Sequence, residues 1–504
     1  MSCVVETSLT NLSAMEVGGL SAVDFEGLSC RNLCADSRQI CPGDTFLAFP
    51  GVQGDGRHFI PQAIQGGAAH VLWESQGFNW NAEWRVPQRA VMGLRDKVSS
   101  LAGTLYGHPS HHLRVLGVTG TNGKTTCSHW LAQILNQTGA RAGVLGTLGA
   151  GVPGRLQDTG HTTPDPIQVQ RLLAEQYAGG TTHCVMEVSS HALDQGRVNG
   201  VSFRGALFTN LTRDHLDYHG SLVSYREAKA RLFRNYSLDY ALLNGDDEFG
   251  RELLTELSHR SVRVLGYSLQ NRIVDAPEGL WVKRHALTQR GQSLELESPW
   301  GDLQLDLPVM GEFNVANLLA VVGAALLEGV SPSQLFDAVA SLDAPPGRME
   351  QYGGGKDPRV VVDFAHTPDA LAQVLRALRP WVEPNRQLWV VFGCGGQRDG
   401  GKRPLMGRMA ETWADRVVLT SDNPRDEDPR KILAQISAGM LKPPFAVEVD
   451  RGRAITQVLE QAQEGDVVLI AGKGHETTQT LAGGVKYPWS DRVAVCQGLA
   501  ERNQ

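Results

Sequence analysis

Short apolar runs closed by polar or glycine-rich loops recur along the chain, separated by stretches whose apolar residues fall three and four apart. AAHVLW (68–73), the run at 113–118, HCVMEVSS (183–190), GALFTNLT (205–212) and YALLNGDD (240–247) read as strands leaving a buried sheet into a loop. Residues 127–135, SYREAKARLF, NVANLLAVVGAALLEG and PSQLFDAVASL carry helical spacing. Strands alternating with helices predict an α/β fold with a mostly parallel sheet covered on both faces. RVLGYSL, LWVKRHAL, SLELES and LQLDL, within 260–308, read instead as short alternating strands forming an antiparallel insert or edge. Past the linker Pro345-Pro346-Gly347, the runs RVVVDFA, QLWVVFG, RVVLTSD and DVVLIAG predict four buried strands of a Rossmann-like domain.

At 504 residues, and at about 150 residues per domain, the chain should hold about three domains. The pattern places them at 1–105, 106–344 and 345–504, a small α/β domain, a central α/β domain and the Rossmann-like one. Hydrophobic residues at 41% and charged residues at 20% describe a globular protein rather than a disordered one. The net charge of −7, without a long run of one sign, argues against general nucleic-acid binding. The eight cysteines make no CxxC pair, and Cys30, Cys34 and Cys41 have no nearby histidine to complete a zinc set. Reduced thiols of a cytoplasmic protein are expected. The N-terminal MSCVVETSLTNLSAMEV lacks the layout of a signal peptide, and LLAVVGAALL (318–327) is too short to span a bilayer. No membrane association is expected, and a monomer is.

GTNGKTT (120–126) lies between a strand and a helix. Gly120 and Gly123 let backbone N–H groups approach phosphate oxygens, and the helix N-terminus adds favourable partial charge. Lys124 can neutralise β- and γ-phosphates, and Thr125 can ligate Mg²⁺. The first glycine of the usual GxxxxGK[ST] pattern falls on Val118, which leaves the tighter GxxGKT. The competing reading is a glycine-rich turn with an incidental lysine. In MEVSSHALDQGR, Glu187 leaves an apolar strand where open α/β sheets present ligands, and TNLTRDHLDYHG clusters Asp214, His215, Asp217 and His219. Mg²⁺ ligation by Glu187 and His215 suits oxygen-rich coordination beside a phosphate loop, while a helix N-cap with solvated charges is the plainer alternative. From its own stretch, Lys229 reads as a surface lysine. SDNPRDEDP (421–429) crowds Asp422, Asn423 and Arg425 around Pro424, offering carboxylate, amide and guanidinium from one turn. It is either a reader of an amine and a carboxylate or an Asx-Pro turn with a solvated arginine.

GTNGKTT, EVSSHAL, TNLTRDHLDYHG, YREAKARLF, GEFNVANLLA, PPGRME and VDFAHTPDAL occur in this order, and together they resemble the Mur ligase family, ATP-dependent amide-forming enzymes of cell-wall precursor synthesis. The resemblance runs from about Asp36 to Trp489. It implies an N-terminal uridine-nucleotide domain, a central P-loop ATPase and a C-terminal domain that brings the amino acid. HTTPDP, GCGGQRDGGKRPLMG, SDNPRDED and AGKGHE are similar to the members that add the third amino acid. By that resemblance the substrates are ATP, UDP-N-acetylmuramoyl-L-alanyl-D-glutamate (UDP-MurNAc-L-Ala-D-Glu) and meso-diaminopimelate, with Mg²⁺ as cofactor. Gly120, Thr121, Asn122, Gly123, Lys124, Thr125, Thr126, Asn314, Arg348 and Asp363 then correspond to ATP contacts, and Phe313 stands where histidine is often found. Glu187, His215 and Lys229, the last as N6-carboxylysine, correspond to metal-holding positions. Ser37, Thr162, Thr163, Ser189, Gln195 and Arg197 correspond to contacts with the uridine substrate. His161 and Val52 depart from the family pattern, and no side-chain contact is expected there. Arg398, Asp422, Asn423, Pro424, Arg425, Gly472 and Glu476 correspond to the amino-acid site. Arg425 favours diaminopimelate, because lysine-adding relatives lack it and a guanidinium can grip the distal carboxylate that lysine does not have. A folylpolyglutamate synthase would not be expected to combine DNPR with GKGHE. A nucleotide-regulated scaffold on a degenerate ligase fold is the alternative of another class.

Overall fold

The computed structural model describes residues 32–51, 54–270, 272–273, 276, 278–288 and 291–502. Val52, Cys3 and Cys30 lie outside them. The described cysteines, Cys34, Cys41, Cys127, Cys184, Cys394 and Cys496, are all free thiols. The chain packs as two compact units. One takes the residues up to Thr119, Gly139–Leu207 and Glu227–Ala241; the other takes Gly120–Thr138, Phe208–Arg226 and the residues from Leu242 onward.

The first unit opens with a parallel sheet in sequential order, β1 (Leu33–Cys34), β2 (Thr45–Ala48), β3 (His70–Glu74) and β4 (Gln88–Val91). Helix Leu94–Leu105 covers it, burying Leu94, Val98, Leu101 and Ala102 against Leu47 and Leu72. That helix lacks a side-chain N-cap of its own. The Glu74 carboxylate takes the role, accepting from Leu94 N at 2.8 Å and placing negative charge at the helix N-terminus. Then follow β5 (Arg114–Thr119), β6 (Ala142–Gly146), β7 (Gly149–Val152), β8 (Arg155–Gln157), β9 (His183–Glu187) and β10 (Gly205–Phe208), in the order β10-β5-β9-β6-β7-β8. β9 pairs in parallel with β5 and β6, while β7 and β8 continue antiparallel. β5, β6 and β9 are buried almost throughout, as continuous apolar runs with both faces covered require.

β11 (Tyr240–Asn244) carries the chain into the second unit. There β12 (Arg263–Ser268), β13 (Glu278–Thr288), β14 (Gly291–Glu297) and β15 (Leu303–Leu307) lie side by side. The antiparallel reading of 260–308 holds for β13, β14 and β15, but β12 runs parallel to β13. Its last five residues are all buried, so it is a core strand and not part of the alternating edge. Helices Lys124–Gln137 and Glu312–Leu327 pack together; the latter is apolar on nearly every face because it is buried all round.

The C-terminal sheet has the order β16-β17-β21-β18-β19-β20, with β16 (Glu350–Gly353), β17 (Arg359–Asp363), β18 (Leu388–Phe392), β19 (Arg416–Thr420), β20 (Ala446–Glu448) and β21 (Val467–Ala471). All neighbours are parallel except β16 with β17. β21 inserts between β17 and β18, so the loops after β18, β19 and β21 emerge from adjacent carboxyl ends, the usual place for ligands in such sheets. A hairpin of β22 (Thr478–Thr480) and β23 (Lys486–Pro488) follows. Beneath the loops, the buried Arg451 makes a two-pronged pair with buried Asp491, both bonds 2.7 Å, and donates to Ser421 O and Ala471 O. One guanidinium thereby ties together the ends of β19 and β21.

Candidate active site

GTNGKTT forms the turn between β5 and helix Lys124–Gln137. Gly120 has φ 151° and Gly123 φ 86°. A Cβ at Gly120 would lie 1.9 Å from Thr209 Oγ1, and one at Gly123 2.4 Å from Asn317 Oδ1. Only glycine fits either place. The loop is fastened to 209–212: Thr209 Oγ1 donates to Asn122 O at 2.6 Å, Asn122 N to Asn210 Oδ1 at 3.0 Å, and Thr212 N to Thr121 Oγ1 at 3.0 Å. The Tyr225 hydroxyl meets Thr121 Oγ1 at 3.1 Å. Lys124 turns back on its own loop, donating to Gly120 O and Thr121 O, both at 2.8 Å.

A solvent-open cleft adjoins the loop, lined by Asn122, Gly123, Thr126, Phe313, Asn314, Arg348, Asp363 and His366 among others. Asn122 Nδ2 is buried there without a hydrogen-bond acceptor among the described residues, an open donor that a ligand would satisfy. Asn314 is held by Met310 O and Asn317 Nδ2. Arg348 stacks 4.6 Å above the Phe364 ring and reaches Thr125 Oγ1 at 3.4 Å. Asp363 accepts from Met349 N and Ala365 N, both 2.8 Å; burial raises its pKa against the opposing pull of Arg348 and those N–H groups. Asp214 goes the other way. Burial alone would raise it, but His215, His366 and Lys124 bring it below the usual carboxylate range. His215 is half exposed, with Nε2 3.4 Å from Asp214 Oδ2.

In the first unit, Glu187 ends β9 fully buried. Its carboxylate accepts from Thr147 N at 2.8 Å and Thr147 Oγ1 at 3.1 Å, and Thr147 Oγ1 in turn lies 3.0 Å from Thr162 Oγ1. Thr163 Oγ1 donates to Glu187 O at 2.8 Å and accepts from Ser189 N at 3.1 Å. Arg197 donates to Thr163 O at 2.7 Å and makes a fork onto Gln195 Oε1. Five of the six residues expected to hold the uridine substrate thus form one network with Glu187. Ser37 lies apart from it in the hydrogen bonding of the described residues, donating to Gln62 Oε1 at 2.9 Å. His161 is exposed. Lys229, which its own stretch presents as a surface lysine, is only 1% exposed.

The carboxyl ends of β18, β19 and β21 bring together all seven residues expected at the amino-acid site. Arg425, with φ 52°, donates from N to Thr480 O at 3.1 Å and from Nη1 to Gly396 O at 2.8 Å. Arg398 is its neighbour: a Cβ at Gly395 would meet Arg425 Nη1 at 3.0 Å and Arg398 Cγ at 3.7 Å. Burial first, and then the Arg398 charge, lower the pKa of Arg425. Neither guanidinium has a carboxylate within ion-pair distance among the described residues. Gly472, at φ 112°, leaves room for Asp422, whose Oδ2 lies 2.7 Å from where a Cβ would stand. Gly396 N donates to Asn423 O, and the carbonyl of Pro424 accepts from Glu427 N at 3.1 Å. Asn423 Nδ2 donates to Glu476 Oε2 at 2.9 Å. Sequence reasoning missed Lys473, fully buried and 2.7 Å from Glu476 Oε2; a lysine between two glycines just past a buried apolar strand was the available signal.

Three family profiles match the chain: "Mur ligase family, catalytic domain" over 30–106, "Mur ligase middle domain" over 118–325, and "Mur ligase, glutamate ligase domain" over 347–474. The chain belongs to the Mur ligase family. Among curated proteins, this Mur ligase is 49% identical to the UDP-N-acetylmuramoyl-L-alanyl-D-glutamate–2,6-diaminopimelate ligase of Chromobacterium violaceum, covering 93% of this chain and 94% of the relative. It is 45% identical to the protein of the same name from Nitrosomonas europaea, covering 93% of each. A solved structure of a ligase with that name superposes with TM-score 0.67 at 37% identity, covering 94% of this chain and 96% of that one. The Mycobacterium tuberculosis folylpolyglutamate synthase, at 19% identity and TM-score 0.61 over 75% of this chain and 92% of that one, shares the fold.

Proposed function

We propose that this Mur ligase joins meso-diaminopimelate to the D-Glu side-chain carboxylate of UDP-MurNAc-L-Ala-D-Glu while ATP is converted to ADP and phosphate. The observation that carries the substrate is the pair of guanidiniums at Arg398 and Arg425, without a carboxylate partner among the described residues, beside the acceptors Asp422 and Glu476. Two adjacent cations next to two carboxylates suit a ligand bearing both carboxylate and ammonium at its far end. Lysine has the ammonium and lacks that carboxylate, which would leave the arginines uncompensated. The names of the relatives at 49% and 45% identity agree with this choice.

The chemistry follows from the groups present. The γ-phosphoryl group of ATP moves to the substrate carboxylate to give an acyl phosphate and ADP. The neutral amine of the amino acid attacks the carbonyl carbon, a proton leaves nitrogen, and the C–O bond to phosphate breaks. Such transfer calls for positioning and positive charge more than for a protein nucleophile. The backbone N–H groups of 123–126, at the helix N-terminus, cradle phosphate oxygens, and Lys124 exchanges its loop carbonyls for them. Asn314, Arg348 and Asp363 line the nucleotide cleft. Ser37, Thr162, Thr163, Ser189, Gln195 and Arg197 serve the uridine substrate, with Arg197 suited to phosphate or carboxylate oxygens.

Among the described residues no group of three or more His, Cys, Asp or Glu side chains is gathered to hold a metal. Mg²⁺ does not require one, because it keeps water and substrate phosphates in its shell. Thr125, Glu187, His215 and Lys229 as its carbamate each have donor chemistry suited to it. Mg²⁺ would neutralise phosphate charge. A carbamate would also remove the cost of a buried ammonium at Lys229. In this reading 1–105, 106–344 and 345–504 serve uridine nucleotide, ATP and amino acid respectively. No helix of the described residues is long and apolar enough to cross a membrane; a cytoplasmic location belongs to this reading through its soluble substrates.

Incubation with ATP, Mg²⁺, the UDP-muramoyl dipeptide and either meso-diaminopimelate or L-lysine tests the reading by phosphate release and product mass. Turnover with diaminopimelate is expected. Lysine addition without diaminopimelate addition would overturn the substrate, and no phosphate release with either would favour the scaffold alternative.

A further inference from the structure

We propose that Lys473 is a positioning residue for amino-acid selection, fixing which oxygen of Glu476 is offered to the ammonium of the incoming amino acid. The inference rests on the ligase reading above.

Lys473 stands two residues past the end of β21, between Gly472 (φ 112°) and Gly474 (φ 52°), and its side chain has no exposure. An ammonium taken wholly out of water persists only when acceptors replace the solvent. Its Nζ donates to Glu476 Oε2 at 2.7 Å and to Asn423 Oδ1 at 3.0 Å. Asn423 Oδ1 accepts a second bond, from Thr480 N at 2.8 Å. Two donors on one amide oxygen decide the orientation of the amide, because the flipped amide would put NH₂ against an ammonium and an N–H. Asn423 Nδ2 is therefore turned to Glu476 Oε2, which it reaches at 2.9 Å.

Glu476 Oε2 thus takes two bonds from fixed donors. Oε1 makes none among the described residues, and the side chain is one-third exposed. The carboxylate is anchored through one oxygen and presents the other. Lys473 cannot itself touch the ligand, since it is sealed from solvent and both its bonds run to residues that line the site. Its effect passes through Glu476 and Asn423. A charged clamp of this kind holds an acceptor in place before the ligand arrives, which is what discriminating binding requires.

A double-mutant cycle tests this with Lys473→Met, Glu476→Gln and the combined variant, reading kcat, KM for diaminopimelate and KM for ATP. Lys473→Met should raise KM for diaminopimelate by about tenfold or more, while KM for ATP stays within about twofold, a change worth well under 1 kcal/mol. In the combined variant, Lys473→Met should add nothing to the Glu476→Gln effect, because there is no longer a carboxylate to aim. Lys473→Gln, which keeps a neutral donor, covers the case in which the methionine variant does not fold; it should fall between wild type and Glu476→Gln. Independent, additive effects of the two substitutions, or an equal rise in KM for ATP, would overturn the assignment. If the wild type turns over diaminopimelate and the Lys473 variants keep its KM, this inference alone fails. A wild type without such turnover would remove the ligase reading as well.

Discussion

The carboxylate of Glu187 fills the space in which a side chain on residue 146 would begin. A Cβ built on Gly146 stands 2.2 Å from Glu187 Oε1 and 2.7 Å from Cδ. β6 must therefore end in glycine if the neighbouring β9 is to present this acid from a dry, fully buried position. Gly146→Ala is expected to displace Glu187 by close to an ångström and lower kcat by about 100-fold. The overpacking itself should cost about 1–3 kcal/mol of stability. Steady-state phosphate release and a thermal melt on the same preparation separate the two effects.

Arg425→Ala should damage use of the amino acid and spare the nucleotide. Removing a hydrogen-bonded partner of a buried carboxylate costs about 2 kcal/mol or more, so KM for diaminopimelate should rise by about 30-fold or more. Binding of an ATP analogue should be unchanged. Equal losses in both measurements would take Arg425 out of the amino-acid site.

Asp491→Asn should destabilise the C-terminal sheet more than its distance from any ligand suggests. The Arg451–Asp491 pair is buried on both sides, and breaking such a pair strands a charge at a cost of about 3–5 kcal/mol. Chemical denaturation would show the loss. Because Arg451 also holds Ser421 O and Ala471 O, amino-acid affinity should fall at temperatures where the protein remains folded.

His129 should impose an acid limit on stability. Burial first, and then the charge of Arg348, push its pKa down from 6.5 to about 4. Between those values the unfolded chain holds the proton and the folded one does not, so stability is lost as pH falls through this window. The loss between pH 7 and pH 5 should be on the order of 2 kcal/mol. His129→Gln should flatten that part of the urea-midpoint profile, and an unchanged slope would rule His129 out as its source.

The C-terminal strands were legible because parallel strands buried on both faces must be continuous apolar runs; RVVVDFA, QLWVVFG, RVVLTSD and DVVLIAG fall on β17, β18, β19 and β21. The same rule explains the misplacement of β12, whose RVLGYSL mixes glycine and hydroxyl groups into a core strand and so imitates alternation. β16, β20 and the β22–β23 hairpin are short and half exposed, and carry no periodicity to read. For the site, the glycine-rich turn and the residues at strand ends could be found from spacing. Spacing alone does not report the burial of Lys229 and Lys473, because burial is decided by what packs over a residue; Lys229 stands between two alanines and Lys473 between two glycines. The bond pattern that pins the Asn423 amide joins residues fifty or more positions apart, a relation no local pattern contains.

The lysine of the phosphate loop rests against its own turn. Lys124 already holds two carbonyls of its own turn at 2.8 Å, so an arriving anion must exchange for bonds already made. A single orthophosphate offers too few oxygens to reward both that exchange and the ordering it entails. A triphosphate can engage the backbone N–H groups along the turn while the lysine moves, and so meets the cost over many contacts. Ligand binding at this turn therefore includes the cost of freeing that lysine, a cost spread over more contacts for a triphosphate than for a single phosphate.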